Sequence, residues 1–127
     1  MKDEEIFFRI LLRGPRYPAI VIDNDDIWAA FNIKELGAAC YVSEPPENSD
    51  MISVVDCTGE EFLYMPGKTA LIPGIGRKKW TKKRIIDLFN DSQTAKEENL
   101  QYPSKSLSNK KLTDIVNEIC MMIEHNK

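Results

Sequence analysis

The sequence predicts an α+β protein: a small, mostly antiparallel sheet packed against two or three helices, with an amphipathic helix at the C-terminal end. Two observations predict it. Short β-branched or alternating apolar runs recur through residues 6–72, closed by glycine, proline or aspartate turns, as paired strands require. Beyond residue 80 the apolar spacing changes to i, i+3, i+4, the pattern of helices that bury one stripe.

Ile6 to Leu12 (IFFRILL) is apolar on both faces except at Arg9, and the turn residues Gly14, Pro15 and Pro18 behind it favour a buried strand. Ala19 to Ile22 (AIVI) is a second short strand. Asp23-Asn24-Asp25-Asp26 offers helix-capping oxygens, and IWAAFNIKEL after it predicts a helix with an Ile27/Ala30/Phe31 stripe and Gly37 as its stop. Cys40-Tyr41-Val42 is expected to begin another strand, and SEPPENSD (43–50) a loop. MISVVDC and EEFLYM flank Thr58-Gly59 and predict a β-hairpin, to which Thr69 to Ile72 adds a third strand.

Trp80 and Thr81 introduce a helix whose apolar side is Ile85, Ile86, Leu88 and Phe89. The polar stretch 92–107 is expected to be a mobile loop between the two C-terminal helices. The last helix, capped by Ser108, has Leu112, Ile115, Val116, Ile119, Met122 and Ile123 at helical spacing on one face.

With 127 residues, 43% hydrophobic and 29% charged, the chain suits one domain over 1–127 and is too apolar for disorder. No apolar run reaches the ~18 residues of a membrane span. Acids at Asp3, Glu4 and Glu5 stand where an export signal carries positive charge, so a cytoplasmic location and no membrane partner are expected. Cys40, Cys57 and Cys120 are odd in number and unpaired in spacing, the pattern of buried reduced thiols rather than of a disulfide scaffold or zinc site. The single histidine, His125, lies near the end. Metal, Ser-His-Asp and Cys-His readings therefore lack a base or ligand, and no cofactor is expected.

The net charge of −3 is unevenly spread. Residues 1–60 hold 12 acids and 5 bases, and residues 61–127 hold 8 acids and 12 bases. The densest basic stretch is GIGRKKWTKKR, in which Arg77, Lys78, Lys79, Lys82, Lys83 and Arg84 surround Trp80. Lysine in a first helical turn opposes the helix dipole, at roughly 0.3–1 kcal/mol each, so the stretch is either a solvated basic face, paired with the acidic half of the chain, or a site where a bound anion compensates that cost. Three anions are in view: an acidic partner protein, a phosphate at the helix start, or a nucleic-acid backbone with Trp80 stacking on a base. The acidic residues Asp3, Glu4, Glu5, Asp23, Asp25, Asp26, Glu44, Glu47 and Asp50 form the opposite set, suited to a basic partner if the fold gathers them.

Two resemblances follow from these residues. AIVIDNDDIW resembles the first motif of haloacid-dehalogenase-type phosphatases, a strand ending in Asp-x-Asp. That likeness implies Asp23 as nucleophile and Asp25 as general acid beside Mg²⁺, with Ser43 and Lys68 as nominees for the downstream roles. The family's alternation of strand and helix is absent, and the chain is short for it. Over its whole length, by size, charge and architecture, the chain resembles small cytosolic bacterial immunity proteins. This resemblance implies a partner toxin held by a charge-complementary interface, with Trp80 and Trp28 as aromatic anchors. The expectation is a non-enzymatic protein-binding module. Nucleic-acid or phosphate binding through 77–84 is the first alternative, and a Mg²⁺-dependent enzyme using Asp23 and Asp25 is the second.

Overall fold

The computed structural model describes residues 8–24, 26–47, 49–74 and 79–127. Its strands are β1 (Arg9–Ile10), β2 (Ala19–Asp23), β3 (Asp26–Ala30), β4 (Ile52–Asp56), β5 (Glu61–Met65) and β6 (Ala70–Pro73). Its helices are α1 (Ile33–Val42), α2 (Lys82–Asn90), α3 (Gln93–Glu97), α4 (Ser106–Asn109) and α5 (Leu112–Asn126). The strands form one sheet in the order β1-β6-β5-β4-β2-β3, antiparallel throughout except for the parallel β1–β6 pair. The α+β expectation is met.

Period-two alternation divides the apolar side chains between two faces. Ala19, Val21, Ala30, Val54, Phe62, Tyr64 and Leu71 pack on one side with Leu36, Ala39 and Cys40 of α1. Ile20, Ile27 and Val55 pack on the other with Ile85, Ile86 and Phe89 of α2 and Ile115, Val116, Ile119 and Ile123 of α5. The C-terminal helices thus cover one face and α1 the other. All three cysteines are buried free thiols, Cys40 in the α1 layer and Cys57 and Cys120 in the opposite one.

Several expectations are corrected here. The helix expected from Ile27 starts only at Ile33, where the Asn32 side chain accepts the Glu35 N–H at 2.9 Å. Residues 26–30 are instead an edge strand, paired with β2 from Ala19↔Ala30 to Asp23↔Asp26. Pairing with the apolar β2 overrides the helix propensity of Ala29 and Ala30. Gly37 lies inside α1 rather than ending it, packed under Phe8, whose ring would stand 3.4 Å from a Cβ there. Cys40-Tyr41-Val42 is the last turn of α1, not a strand.

The N-terminal run is a two-residue edge strand with Leu11 and Leu12 exposed, and Ile6 and Phe7 lie outside the described residues. The segment 92–107 is not a structureless loop. It contains α3 and the start of α4, and it buries Ser92, Thr94, Ala95, Tyr102 and Ser106. Ser108 belongs to α4, and α5 begins after Lys111 with no side-chain cap.

The hairpin expected at Thr58-Gly59 forms as β4–β5, and the β6 strand follows. Asp56 organises its turn: one carboxylate oxygen accepts from Thr58 N, Thr58 Oγ1 and Glu60 N at 2.7–3.0 Å, the other from Arg16 N at 3.0 Å. Gly59 has φ +87°, and a Cβ there would meet Leu112 Cδ2 and the Trp80 carbonyl oxygen, both at 2.9 Å. The Trp80 N–H donates to the Gly59 carbonyl at 2.8 Å. The start of α5 and the lead-in to α2 therefore meet on this one turn.

Candidate basic interface

That meeting point gathers lysines from separate stretches of sequence. Thr81 caps α2, its side chain accepting the Arg84 N–H at 3.2 Å, so Lys82, Lys83 and Arg84 occupy the first helical turn. The Lys79 Cβ is 3.5 Å from where a Gly59 Cβ would stand, which sets Lys79 beside Leu112 and hence beside Lys111. Lys82 Nζ donates to the Leu107 carbonyl at 3.3 Å, tying α2 to α4 and bringing up Lys105 and Lys110. Seven bases thus share one region: Lys79, Lys82, Lys83, Arg84, Lys105, Lys110 and Lys111.

Their engagement differs. Lys83 pairs with Asp87 at 2.7 Å, an exposed i, i+4 pair that lifts the ammonium above its usual range. Lys110 pairs with Glu118 at 2.7 Å, and Tyr102 Oη–H donates to the same oxygen at 2.7 Å. These two bonds, from Lys110 first, hold the Glu118 carboxyl below the usual range. Lys79, Lys105 and Lys111 are exposed. Arg84 lies over the Trp80 ring with its guanidinium carbon 3.6 Å from the ring centre.

Of the residues singled out in the sequence, Lys79, Lys82, Lys83 and Arg84 are brought together, while Arg77 and Lys78 lie outside the described residues. Trp80 is corrected as an exposed anchor or base-stacking platform: it is 7% exposed, part of the core beneath Arg84, and its Nε1–H is buried without a partner. Lys105, Lys110 and Lys111 were missed. Their spacing signalled a second lysine cluster, but only the α2–α4 contact and the Gly59 turn join it to the first.

Of the acidic candidates, Asp23 and Asp26 sit at the other end of α2, while Asp3, Glu4 and Glu5 lie outside the described residues. Asp23 Oδ1 accepts from Asn24 N at 2.8 Å and Glu44 N at 2.9 Å, and Oδ2 accepts from Trp28 Nε1 at 3.3 Å. Asp26 accepts from Thr94 N and Oγ1 at 2.8–3.0 Å and from Lys127 Nζ at 2.7 Å. Burial would raise the Asp26 carboxyl, but the bonds from Lys127 and Thr94 outweigh it and hold the group below its usual range. Lys127 also covers the half-buried Trp28 ring at 3.9 Å. Asp25 is outside the described residues.

Beside these groups is a cleft of about 300 Å³ lined by Ile22, Asp23, Asn24, Asp26, Ile27, Leu88, Asp91 and Ser92. Among the described residues no three His, Cys, Asp or Glu side chains stand together as a metal centre. Asp23 ends β2 and pairs with Asp26 of the antiparallel β3, so it does not stand at the strand-to-helix turn that the phosphatase resemblance implies. Ser43, its nominated hydroxyl, is buried without a partner, and Lys68 is exposed on the β5–β6 turn.

The fold and surface define a small α+β protein whose charge is polarised along α2. No helix among the described residues is long and apolar enough to cross a membrane. No family model, curated protein or solved structure matches the chain.

Proposed function

We propose that this protein is a non-enzymatic binding module that docks an acidic surface of another protein on the basic region at the start of α2 and α5. The observation carrying this reading is the gathering of seven bases from two distant stretches around helix starts that their charge destabilises. Lysine at the uncapped start of α5 and in the first turn of α2 opposes both helix dipoles, so a bound anion offsets a cost built into the fold. The interspersed acids Asp87, Asp114 and Glu118 favour a protein surface of mixed charge over a uniformly anionic nucleic-acid backbone. The burial of Trp80 removes the stacking platform that single-stranded nucleic acid would use.

The test is a native pull-down of the tagged chain, with and without nuclease, read by mass spectrometry. One stoichiometric protein, retained after nuclease and lost from a Lys79→Ala/Lys82→Ala/Lys111→Ala variant, is the expected result. Partners that vanish with nuclease would move the assignment to nucleic acid. In the toxin-neutralising form of this reading the captured protein is a toxin, and expressing the chain protects cells that make it. Absence of protection would remove that form and leave the general one.

A further inference from the structure

Resting on that reading, we infer that Arg84 is the specificity-determining residue of the basic region and that it grips a carboxylate side chain of the partner. Its guanidinium lies over the buried Trp80 indole, the central carbon 3.6 Å from the ring centre. The stack is fixed from below, because Trp80 is locked by core packing and by its backbone bond to Gly59. No side-chain hydrogen bond or ion pair engages Arg84 among the described residues. The exposed, planar guanidinium thus keeps five N–H donors without an internal acceptor among the described residues, on a side chain whose freedom the ring contact restricts, and this fork matches a planar two-oxygen anion. The other cations of this turn are less suited: Lys83 is committed to Asp87, and Lys82 is spent on the Leu107 carbonyl.

A carboxylate is assigned over a phosphate on shape and on the class of partner. The carboxylate is planar and presents two oxygens in the plane of the guanidinium fork, and on the reading beneath this inference it is the anion that an acidic protein surface offers. The surrounding lysines steer an acidic partner inward, and Arg84 supplies the directed contact that sets register. Arginine stacked on an aromatic ring is also a frequent energetic centre of protein interfaces.

The experiment titrates the full chain with poly-L-glutamate at low ionic strength, with inorganic phosphate and a short DNA duplex as comparison ligands. Arg84→Lys keeps the charge and loses the fork, and Lys105→Ala removes an exposed charge from the same region. We expect poly-L-glutamate to bind, Arg84→Lys to weaken it about tenfold, and Lys105→Ala to weaken it about twofold or less. A thermal melt confirms that both surface variants are folded. Arg84→Lys binding as wild type does, while the Lys79→Ala/Lys82→Ala/Lys111→Ala variant fails to bind, would overturn the role of Arg84 and leave the basic region standing. Binding of phosphate or duplex in preference to poly-L-glutamate would overturn the carboxylate assignment. If the wild type binds no polyanion at all, the inference and the reading beneath it fall together.

Discussion

The two ends of α2 carry opposite charge and use it in opposite ways. At its C-terminal end Asp23 and Asp26 are consumed internally, accepting from Glu44, Trp28, Thr94 and Lys127 to bind the β2–β3 hairpin to α1, α3 and α5. At its N-terminal end Lys79, Lys105 and Lys111 are exposed, and the exposed Arg84 rests on the Trp80 ring. Both ends run against the helix dipole, since α2 has no acid in its first turn and no base in its last. Acids at one end stitch the fold, whereas at the other Lys82, Lys83 and Lys110 hold internal partners but Lys79, Lys105 and Lys111 make no side-chain bond among the described residues. Charge density alone does not mark a site. Charge left without an internal task does.

The largest effect that would break this contrast comes from the turn beneath the basic end. Gly59→Ala forces a Cβ into Leu112 and the Trp80 carbonyl at a positive φ, and should destabilise by about 3 kcal/mol in a denaturant melt. A loss below about 1 kcal/mol would mean that α2 and α5 are not held together by this turn. Asp26→Ala should cost about 2 kcal/mol, since Thr94 and Lys127 lose a charged acceptor.

Acid should sharpen the same point. The folded Asp26 carboxyl titrates below its unfolded value of about 3.9, so its contribution is complete above that pH and fades as pH falls through the lower folded value. The stability gap between wild type and Asp26→Asn should therefore narrow on acidification from pH 5 towards pH 2. A gap that widens would contradict the ion pair.

Lys111→Asp is the test at the opposite end. Lys111 has the extended backbone of an N-cap, φ −75° and ψ 158°, but offers no capping oxygen. Aspartate there should raise stability by about 1 kcal/mol while weakening poly-L-glutamate binding. Gain without loss of binding would show that lysine at this position serves no recognition. Lys105→Ala should be the smallest, with stability within about 0.5 kcal/mol of wild type.

How much was legible divides along the same line. Alternation around Thr58-Gly59 revealed β4 and β5, and the 3.6-residue spacing from Ile115 to Ile123 revealed the buried stripe of α5, because both patterns are local. The strand β3 was misread because Ile27, Ala30 and Phe31 also fit a helical stripe, and only pairing with β2 decides between the two. The short helix α3 was hidden because its anchors, Ser92 as cap and Thr94 on Asp26, are polar residues that look like loop composition. At the candidate site the bases at 79–84 could be read directly, but the contribution of 105–111 depends on contacts far apart in sequence. Trp80 looked exposed among lysines, and its place in the core follows from packing that no local pattern records.

The cysteines, finally, make the sheet its own reporter. Burial pushes the Cys40 thiol up to about 12 and raises the Cys120 thiol as well. Near neutral pH both thiols are therefore held in the protonated, unreactive form, and burial also keeps reagent from them. Alkylation of either residue thus waits for an opening of the layer that covers it. Since Cys40 lies within α1 and Cys120 within α5 on the opposite side of the sheet, the ratio of their labelling rates reads which face of the sheet uncovers first.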